Sequence, residues 1–513
     1  MRLSRLVLAV ASAAALAGLA FAVARRIAYP YDLEWMEGGM LCHALRVVQR
    51  EPIYAEPSAR FVSFAYTPLY PILLGLLAPV AGVGYVPARA VSVAAFAGAL
   101  IVAYAFVRHA GGSRAAAFGT AALPAAAFAP TGAWYDLARI DSLFLGLTAA
   151  AVAVGWWRRN GPAGPVAAGV LITAAFFTKQ TALPFAGALG LALLLARPRA
   201  AVLYAATVAM LGGALLAWAH LASGGWFWTY AFGLHRRHPF DALDAVVVTP
   251  ARLFLLLGPG LVLLGLALRR TRAPDLLYAT GMALTGLVAS ALGAGTEWSY
   301  HNALIPGVYF TALAVGTATA AVEPWQPVVA SLLLAAAVGC APGGLLALAA
   351  RALPRAGLAL PLGYDPRAFL PSAADRERGD ALVARLAASP GDVFVPDHSF
   401  YPHLAGKPTS LHAMNIADLQ GAGLRVPKDL VEQMRQKRFS LVVVDREETD
   451  EEARDPAVRA REEEEAIGLV PGLTKNYRLA ERIVPEGPRV YSGGRFVPCC
   501  VLVPRDGLSD PLR

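Results

Sequence analysis

Twelve apolar runs fill the first 350 residues, near 3–24, 67–85, 88–107, 115–131, 142–157, 164–178, 181–196, 200–221, 250–268, 275–294, 301–321 and 326–350. About 20 such residues, wound as a helix, match the hydrocarbon thickness of a bilayer. Inside lipid a single strand or loop leaves its amides unsatisfied, so runs of this kind are read as helices. The pattern predicts an all-α polytopic membrane domain of about 11–12 transmembrane helices over residues 1–350. The chain is 57% hydrophobic and only 16% charged, whereas soluble domains carry about 25% charged residues. An ordinary soluble enzyme is therefore excluded.

Charge then locates the end of the membrane part. Residues 1–350 carry 22 Lys+Arg against 12 Asp+Glu, and residues 351–513 carry 23 against 24. A basic excess confined to the apolar part fits cytoplasmic loops beside anionic lipid and predicts no nucleic-acid partner. Short loops hold Arg108 with Arg114, Arg158 with Arg159, Arg197 with Arg199, and Arg269 and Arg270 with Arg272. Such loops favour the cytoplasm. Keeping them and the N-terminus inside requires the 67–85 segment not to cross, which gives eleven crossings, a long first outer loop (about 25–87) and an outer C-terminal part. Arg2 and Arg5 before the first run would suit a signal peptide. The length of that run and the Arg25-Arg26 after it predict instead an uncleaved first helix. Only five of the 45 basic residues are Lys, a bias of coding composition that suggests a bacterial source.

From residue 351 the character changes to mixed charge with short β-branched runs at 392–396, 440–445 and 496–504, and an amphipathic helical pattern at 428–437. These features predict a soluble, periplasmic α/β domain over 351–513. The charged stretch 446–465 reads as a solvated helix. Cys42, Cys340, Cys499 and Cys500 show neither metal-ligand spacing nor a disulfide framework and are read as unpaired thiols.

The polar groups of the apolar part concentrate on the predicted outer face. The first outer loop carries Glu34 and Glu37 in Asp32-Leu33-Glu34-Trp35-Met36-Glu37-Gly38-Gly39, followed by Tyr66 and Tyr70 in a Pro/Tyr-rich stretch. A helix over 34–37 would set both glutamates on one face. They would then share a general-base role, bind a cation, or simply favour the helix dipole. The second outer loop places Arg139 and Asp141 at the mouth of a span, as substrate ligands or as a structural pair. Lys179 and Gln180 interrupt an apolar hairpin, where the lysine either snorkels or meets a phosphate. His235, Arg236 and Arg237 form a second candidate phosphate site or an ordinary basic loop, and Glu297 and His301 complete the outer set. The residues fix no cofactor, and a divalent metal is compatible with them. Walker, dinucleotide-fingerprint, zinc-protease and nucleophile-elbow motifs are absent from the sequence, which argues against nucleotide-driven chemistry.

The acidic first loop, the Gly-Gly and helix after it, Pro52-Ile53-Tyr54, Tyr66-Thr67-Pro68-Leu69-Tyr70-Pro71, Arg139-Ile140-Asp141, Thr178-Lys179-Gln180-Thr181 and a soluble tail together resemble the GT-C superfamily. The likeness is nearest to bacterial members related to glycosyltransferase family 39, the protein mannosyltransferase and aminoarabinose transferase relatives. The resemblance implies an inverting transferase of the bacterial inner membrane that takes a sugar from a polyprenyl-phosphate donor. The sugar passes to an envelope acceptor (glycan, lipid or protein) at the periplasmic face. It also implies that an acidic residue of the first loop acts as base. Glu37 matches the Glu of the family's Asp-Glu pair and Met36 stands in the Asp slot, so the base is Glu37 or Glu34. Asp141 matches the acid of the second loop, and Lys179 lies where a lipid phosphate would be held. The alternatives are a transporter of a lipid-linked or small polar substrate and a non-catalytic envelope assembly protein.

Overall fold

The structure is a computed structural model that describes residues 2–297, 299–321, 366–447, 456–484 and 486–505. Its helices follow the apolar runs: α1 (Arg2–Arg26), α2 (Glu37–Val48), α3 (Leu69–Ala81), α4 (Tyr85–His109), α5 (Arg114–Ala126), α6 (Asp141–Trp157), α7 (Ala163–Thr178), α8 (Ala182–Ala196), α9 (Pro198–Ala222), α10 (Asp244–Arg270), α11 (Pro274–Ala294) and α12 (Ile305–Ala321). Among the described residues, five helical stretches, 8–26, 85–109, 198–222, 244–270 and 274–294, are long and apolar enough to cross a bilayer. The 13 residues of α3 reach about 20 Å at 1.5 Å per residue, short of a hydrocarbon core of about 30 Å. The predicted run at 326–350 lies outside the described residues.

Compactness divides the chain differently from composition. One unit comprises residues 1–25, 90–218 and 239–370, and a second comprises 26–89, 219–238 and 371–513. The composition change near residue 350 thus marks where apolar sequence ends, while the first loop groups with the C-terminal part.

In the first unit, helices meet through small residues, as expected where lipid offers no hydrophobic drive to association. A Cβ on Gly286 of α11 would sit 2.7 Å from the Pro306 carbonyl oxygen of α12, and one on Gly146 of α6 would sit 2.7 Å from that of Ala95 on α4. Only glycine permits these approaches.

In the second unit, α13 (Ala373–Ala388) is opened by a capping box between Ser372 and Asp375. A four-stranded mixed sheet follows, in the order β1-β2-β4-β3, from β1 (Asp392–Phe394), β2 (Phe439–Glu447), β3 (Tyr477–Arg482) and β4 (Phe496–Pro504). β1 runs parallel to β2, and β4 runs antiparallel to both β2 and β3. The Val442-Val443-Val444 core of β2 is buried on both faces, which explains its continuous rather than alternating apolar pattern. Between the parallel strands lie α14 (Ala413–Gly421) and α15 (Lys428–Arg435), the latter the amphipathic helix expected from sequence. The charged stretch is helical over α16 (Pro456–Gly468). β3 was not foreseen. Its Tyr-Arg-Leu-Ala-Glu-Arg sequence is polar on the exposed side and earns its strand geometry by pairing at the sheet edge.

The first loop is stitched onto this domain. The Leu33 carbonyl accepts the amides of Tyr491 (2.8 Å) and Ser492 (2.9 Å), and the Ala59 carbonyl accepts the amide of Leu411 (3.2 Å). The Ala59 amide donates to Asp429 at 2.9 Å. Trp35 stacks on Phe496 with ring centres 4.1 Å apart.

Candidate active site

Two clusters of buried polar groups carry the residues singled out by sequence, one in each unit.

In the first unit Asp141 opens α6, where the positive end of the helix dipole favours a carboxylate. Three donors converge on it. Lys179 Nζ lies 2.6 Å from Oδ1, Asn302 Nδ2 donates to the same oxygen at 3.1 Å, and Trp134 Nε1 donates to Oδ2 at 2.8 Å. The Arg139 guanidinium lies over the Trp134 ring, 5.6 Å from its centre. Each element is placed by a break in helix. Lys179 has extended backbone (φ −152°, ψ 131°) between α7 and α8, and Asn302 sits in a 3-10 turn, 301–304, ahead of α12. His301 begins that turn, and its Cβ would lie 3.5 Å from a Cβ on Gly132. Gln180 is half-buried in the α7–α8 break, its carbonyl accepting the Leu183 amide at 3.0 Å. Glu297 is exposed and its amide donates to the Pro239 carbonyl at 3.1 Å. Asp141 is 2% exposed, whereas the Lys179 side chain is 19% exposed. The ammonium has three protons and one is directed at Asp141, so two can serve a ligand.

In the second unit the helix begins at Glu37, not at Glu34. This corrects the expectation that the two glutamates share one helical face. Glu34 lies in the preceding turn, its carbonyl accepting the Glu37 amide at 2.9 Å. Glu37 is fully buried and bidentate to Arg89, with Nε to Oε1 at 2.9 Å and Nη2 to Oε2 at 2.6 Å. Its Oε2 also accepts the Leu33 amide at 2.7 Å. The same guanidinium donates to the carbonyls of Tyr29 (2.5 Å), Tyr31 (2.6 Å) and Arg26 (3.3 Å). This arrangement folds the first loop around one arginine.

His43, on the next turns of α2, is neutral. Nδ1 donates to the Gly39 carbonyl (2.8 Å) while Nε2 accepts the Phe64 amide (3.0 Å). Burial pushes its pKa down to about 4.

Several of the remaining predicted ligands hold segments together. The Tyr70 hydroxyl donates to the Ala88 carbonyl at 2.9 Å, and the Tyr66 carbonyl accepts the Tyr54 hydroxyl at 2.7 Å. His235 Nε2 meets the Ala65 carbonyl at 2.7 Å, and Arg237 donates to the Ala422 carbonyl at 2.6 Å. Arg236 is exposed. Among the described residues, no group of three or more His, Cys, Asp and Glu side chains is arranged to hold a metal ion.

Arg89, Trp134 and Asn302 were missed by sequence reasoning. Arg89 had a readable signal, being the single charge in residues 61–107. An ionisable residue so isolated demands a partner. Trp134 and Asn302 carried none, since an indole and an amide are ordinary in any interfacial loop.

No family model matches the sequence, and no curated protein matches it. Among solved structures, the chain is similar to ArnT from Cupriavidus metallidurans bound to undecaprenyl phosphate. The identity is 14%, with 96% of this chain and 97% of that chain covered, at a TM-score of 0.60. The apo state of the same protein matches at 15% identity over 96% and 97% of the two chains, with a TM-score of 0.56. The fold is therefore like that of this solved structure, mostly helical with a small C-terminal sheet domain, the fold class that the sequence resemblance implied.

Proposed function

We propose that this chain is a multi-pass membrane glycosyltransferase that moves a sugar from a polyprenyl-phosphate carrier to an acceptor at the periplasmic face of a bacterial inner membrane. The observation that carries the reading is the end-to-end fold likeness to a transferase crystallised with undecaprenyl phosphate. The chemistry of the two clusters is consistent with it. Attack by an acceptor hydroxyl on the sugar carbon needs a base for the proton and positive charge for the departing phosphate. Lys179, held by Asp141 and still able to donate twice, is suited to the phosphate, with Arg139 as a second cation. Asp141 orients the lysine. In the first loop the base is Glu34 or Glu37; Glu37 is held by Arg89 and the Leu33 amide, and its own amide donates to the Glu34 carbonyl, which ties it to the turn that carries Glu34. The reaction inverts the sugar carbon in this scheme, because one displacement suffices.

The test is transfer of labelled sugar from a panel of polyprenyl-phosphate donors. Membranes containing the wild type, Glu34→Gln or Lys179→Met are compared at matched folded protein. Transfer by the wild type that falls in both variants supports the assignment. Transfer unaffected by Glu34→Gln returns the base to another group. A folded wild type that transfers from no donor but moves a polar solute across proteoliposomes replaces the enzyme with a transporter.

A further inference from the structure

One buried group of the second unit has no part in that scheme. His398 lies in the turn after β1, fully buried, with a carboxylate on each ring nitrogen. Nδ1 is 2.7 Å from Asp32 Oδ2 and Nε2 is 2.8 Å from Asp445 Oδ2, and all three side chains are closed to solvent. Asp32 belongs to the first loop and Asp445 to the end of β2, where a register shift against β4 between Val444 and Asp445 turns the strand. Bulges re-aim side chains in this way. The other face of Asp32 is used as well, since its Oδ1 accepts the Gly38 amide at 2.8 Å in the first turn of α2. The Tyr401 ring stacks on the imidazole, centres 4.5 Å apart and planes within 9°. Asp397 completes the surroundings, its Oδ2 accepting the Asp445 amide at 3.1 Å.

A neutral imidazole has one N–H, so it can donate to only one of two flanking carboxylates. A second buried carboxylate facing a ring lone pair would be repelled with no water to screen it. The imidazolium sets one positive charge between both acids, hydrogen-bonded to Asp32 and in ion-pair contact with Asp445, whose approach to Nε2 is out of line for a hydrogen bond.

We propose that His398 is a permanent imidazolium and a positioning residue. Clamped between Asp445 of the C-terminal domain and Asp32 of the first loop, it fixes the turn that carries Glu34. The role in transfer rests on the function proposed above, whereas the clamp itself does not. Burial opposes the charge, but Asp445 and then Asp32 outweigh it and raise the His398 pKa to about 10. Burial, then Asp445, push the Asp397 carboxyl up to about 8, and burial raises the Asp32 carboxyl as well, against the lowering by its hydrogen bond to His398.

The experiment uses the full-length protein in detergent or nanodiscs and reads the clamp without substrate. Nitrogen-15 spectra of histidine-labelled wild type are expected to show one ring with both nitrogens protonated from pH 6 to 7.5. This ring should disappear in His398→Gln. Amide-exchange protection of the 32–42 segment is expected to be flat over that window in the wild type. In Asp445→Asn, which removes one of the two charges holding the proton, it should fall at least tenfold between pH 6 and 7.5. Asp32→Asn, on the other side of the ring, is the second variant and should show the same slope.

Transfer by Asp445→Asn should follow its exchange profile, losing about tenfold in kcat with the donor KM unchanged, while the wild type stays level. A neutral His398 ring at pH 7, or identical pH profiles of protection in wild type and variant, overturns the clamp. Altered protection with unaltered transfer overturns the positioning role alone. A wild type without transfer activity defeats the enzyme reading, and the spectra and exchange still decide the clamp.

Discussion

Two buried acid–base pairs, Glu37 with Arg89 and Asp141 with Lys179, are built to opposite ends. In the first, both side chains are fully closed and every guanidinium nitrogen is committed, to Glu37 or to backbone carbonyls of the first loop. In the second, the carboxylate is saturated by three donors, but the lysine keeps two protons and a path to solvent. A charge pair with no capacity left over is scaffolding, whereas a charge held in place with capacity to spare can bind. Residue types alone do not separate the two cases, since each is one acid and one base beside an apolar span.

The sharpest break of this comparison is activity. Lys179→Met, compared at matched folded protein, should lower transfer by about 10²- to 10⁴-fold, the range for loss of an essential charged or proton-transferring group. Lys179→Arg should restore part of it. Radiolabel transfer at saturating donor reads both.

Stability should respond the other way round. Glu37→Gln leaves a buried guanidinium uncompensated and should cost about 3–5 kcal/mol, seen as a lower melting temperature and a poor folded yield. The double change Glu37→Leu with Arg89→Leu should recover little of that loss, because it also strips the Leu33 amide and the Arg26, Tyr29 and Tyr31 carbonyls of their partners.

A pH titration sharpens the contrast within the second unit. His43 has a folded pKa of about 4, below its ordinary 6.5. Its contribution to stability is therefore complete above pH 6.5 and lost as pH falls through 4. His398, raised to about 10, contributes fully below pH 6.5 and loses its contribution as pH rises through 10. Melting temperature against pH should fall at both ends. His43→Gln should make the acid limb shallower and leave the alkaline limb unchanged, the depressed carboxyls of Asp375 and Glu463 still contributing on the acid side.

The smallest effect concerns the third donor to Asp141. Trp134→Phe removes one hydrogen bond to a buried charge and keeps an aromatic ring under Arg139. It should lower transfer by about tenfold, in line with the roughly 1.5–3 kcal/mol such bonds contribute. The melting temperature should move less than for Glu37→Gln.

Much of the fold was legible because bilayer physics leaves little freedom. The apolar runs from 88–107 to 275–294 became helices with ends shifted by a few residues, and the runs at 392–396, 440–445 and 496–504 became strands. Asp141 and Lys179 could be picked out because each is a charge where apolar sequence is expected. Their contact across 38 residues could not, since it depends on how α6 and α7 pack. The first loop shows the limit more clearly. Nothing local in Asp32, Leu33 or Trp35 announces partners at His398, Ser492 or Phe496, and no periodicity spans such distances. The i, i+3 relation of Glu34 and Glu37 was misjudged because a helix starting three residues early looks the same in sequence.

The contact between Asp32 and His398 joins residues 366 positions apart, and it bears on how the chain is made. At about 5–20 residues per second of synthesis, the first loop waits on the order of tens of seconds before its partners exist. During that interval Trp35, Asp32 and the Leu33 carbonyl have neither sheet nor histidine to meet. Long-range closure of this kind is slow and exposes unfinished surface. A message truncated ahead of β2 would thus leave the opposite end of the protein unfinished. Coexpression of the missing C-terminal segment, rather than any repair near the N-terminus, is what would complete it.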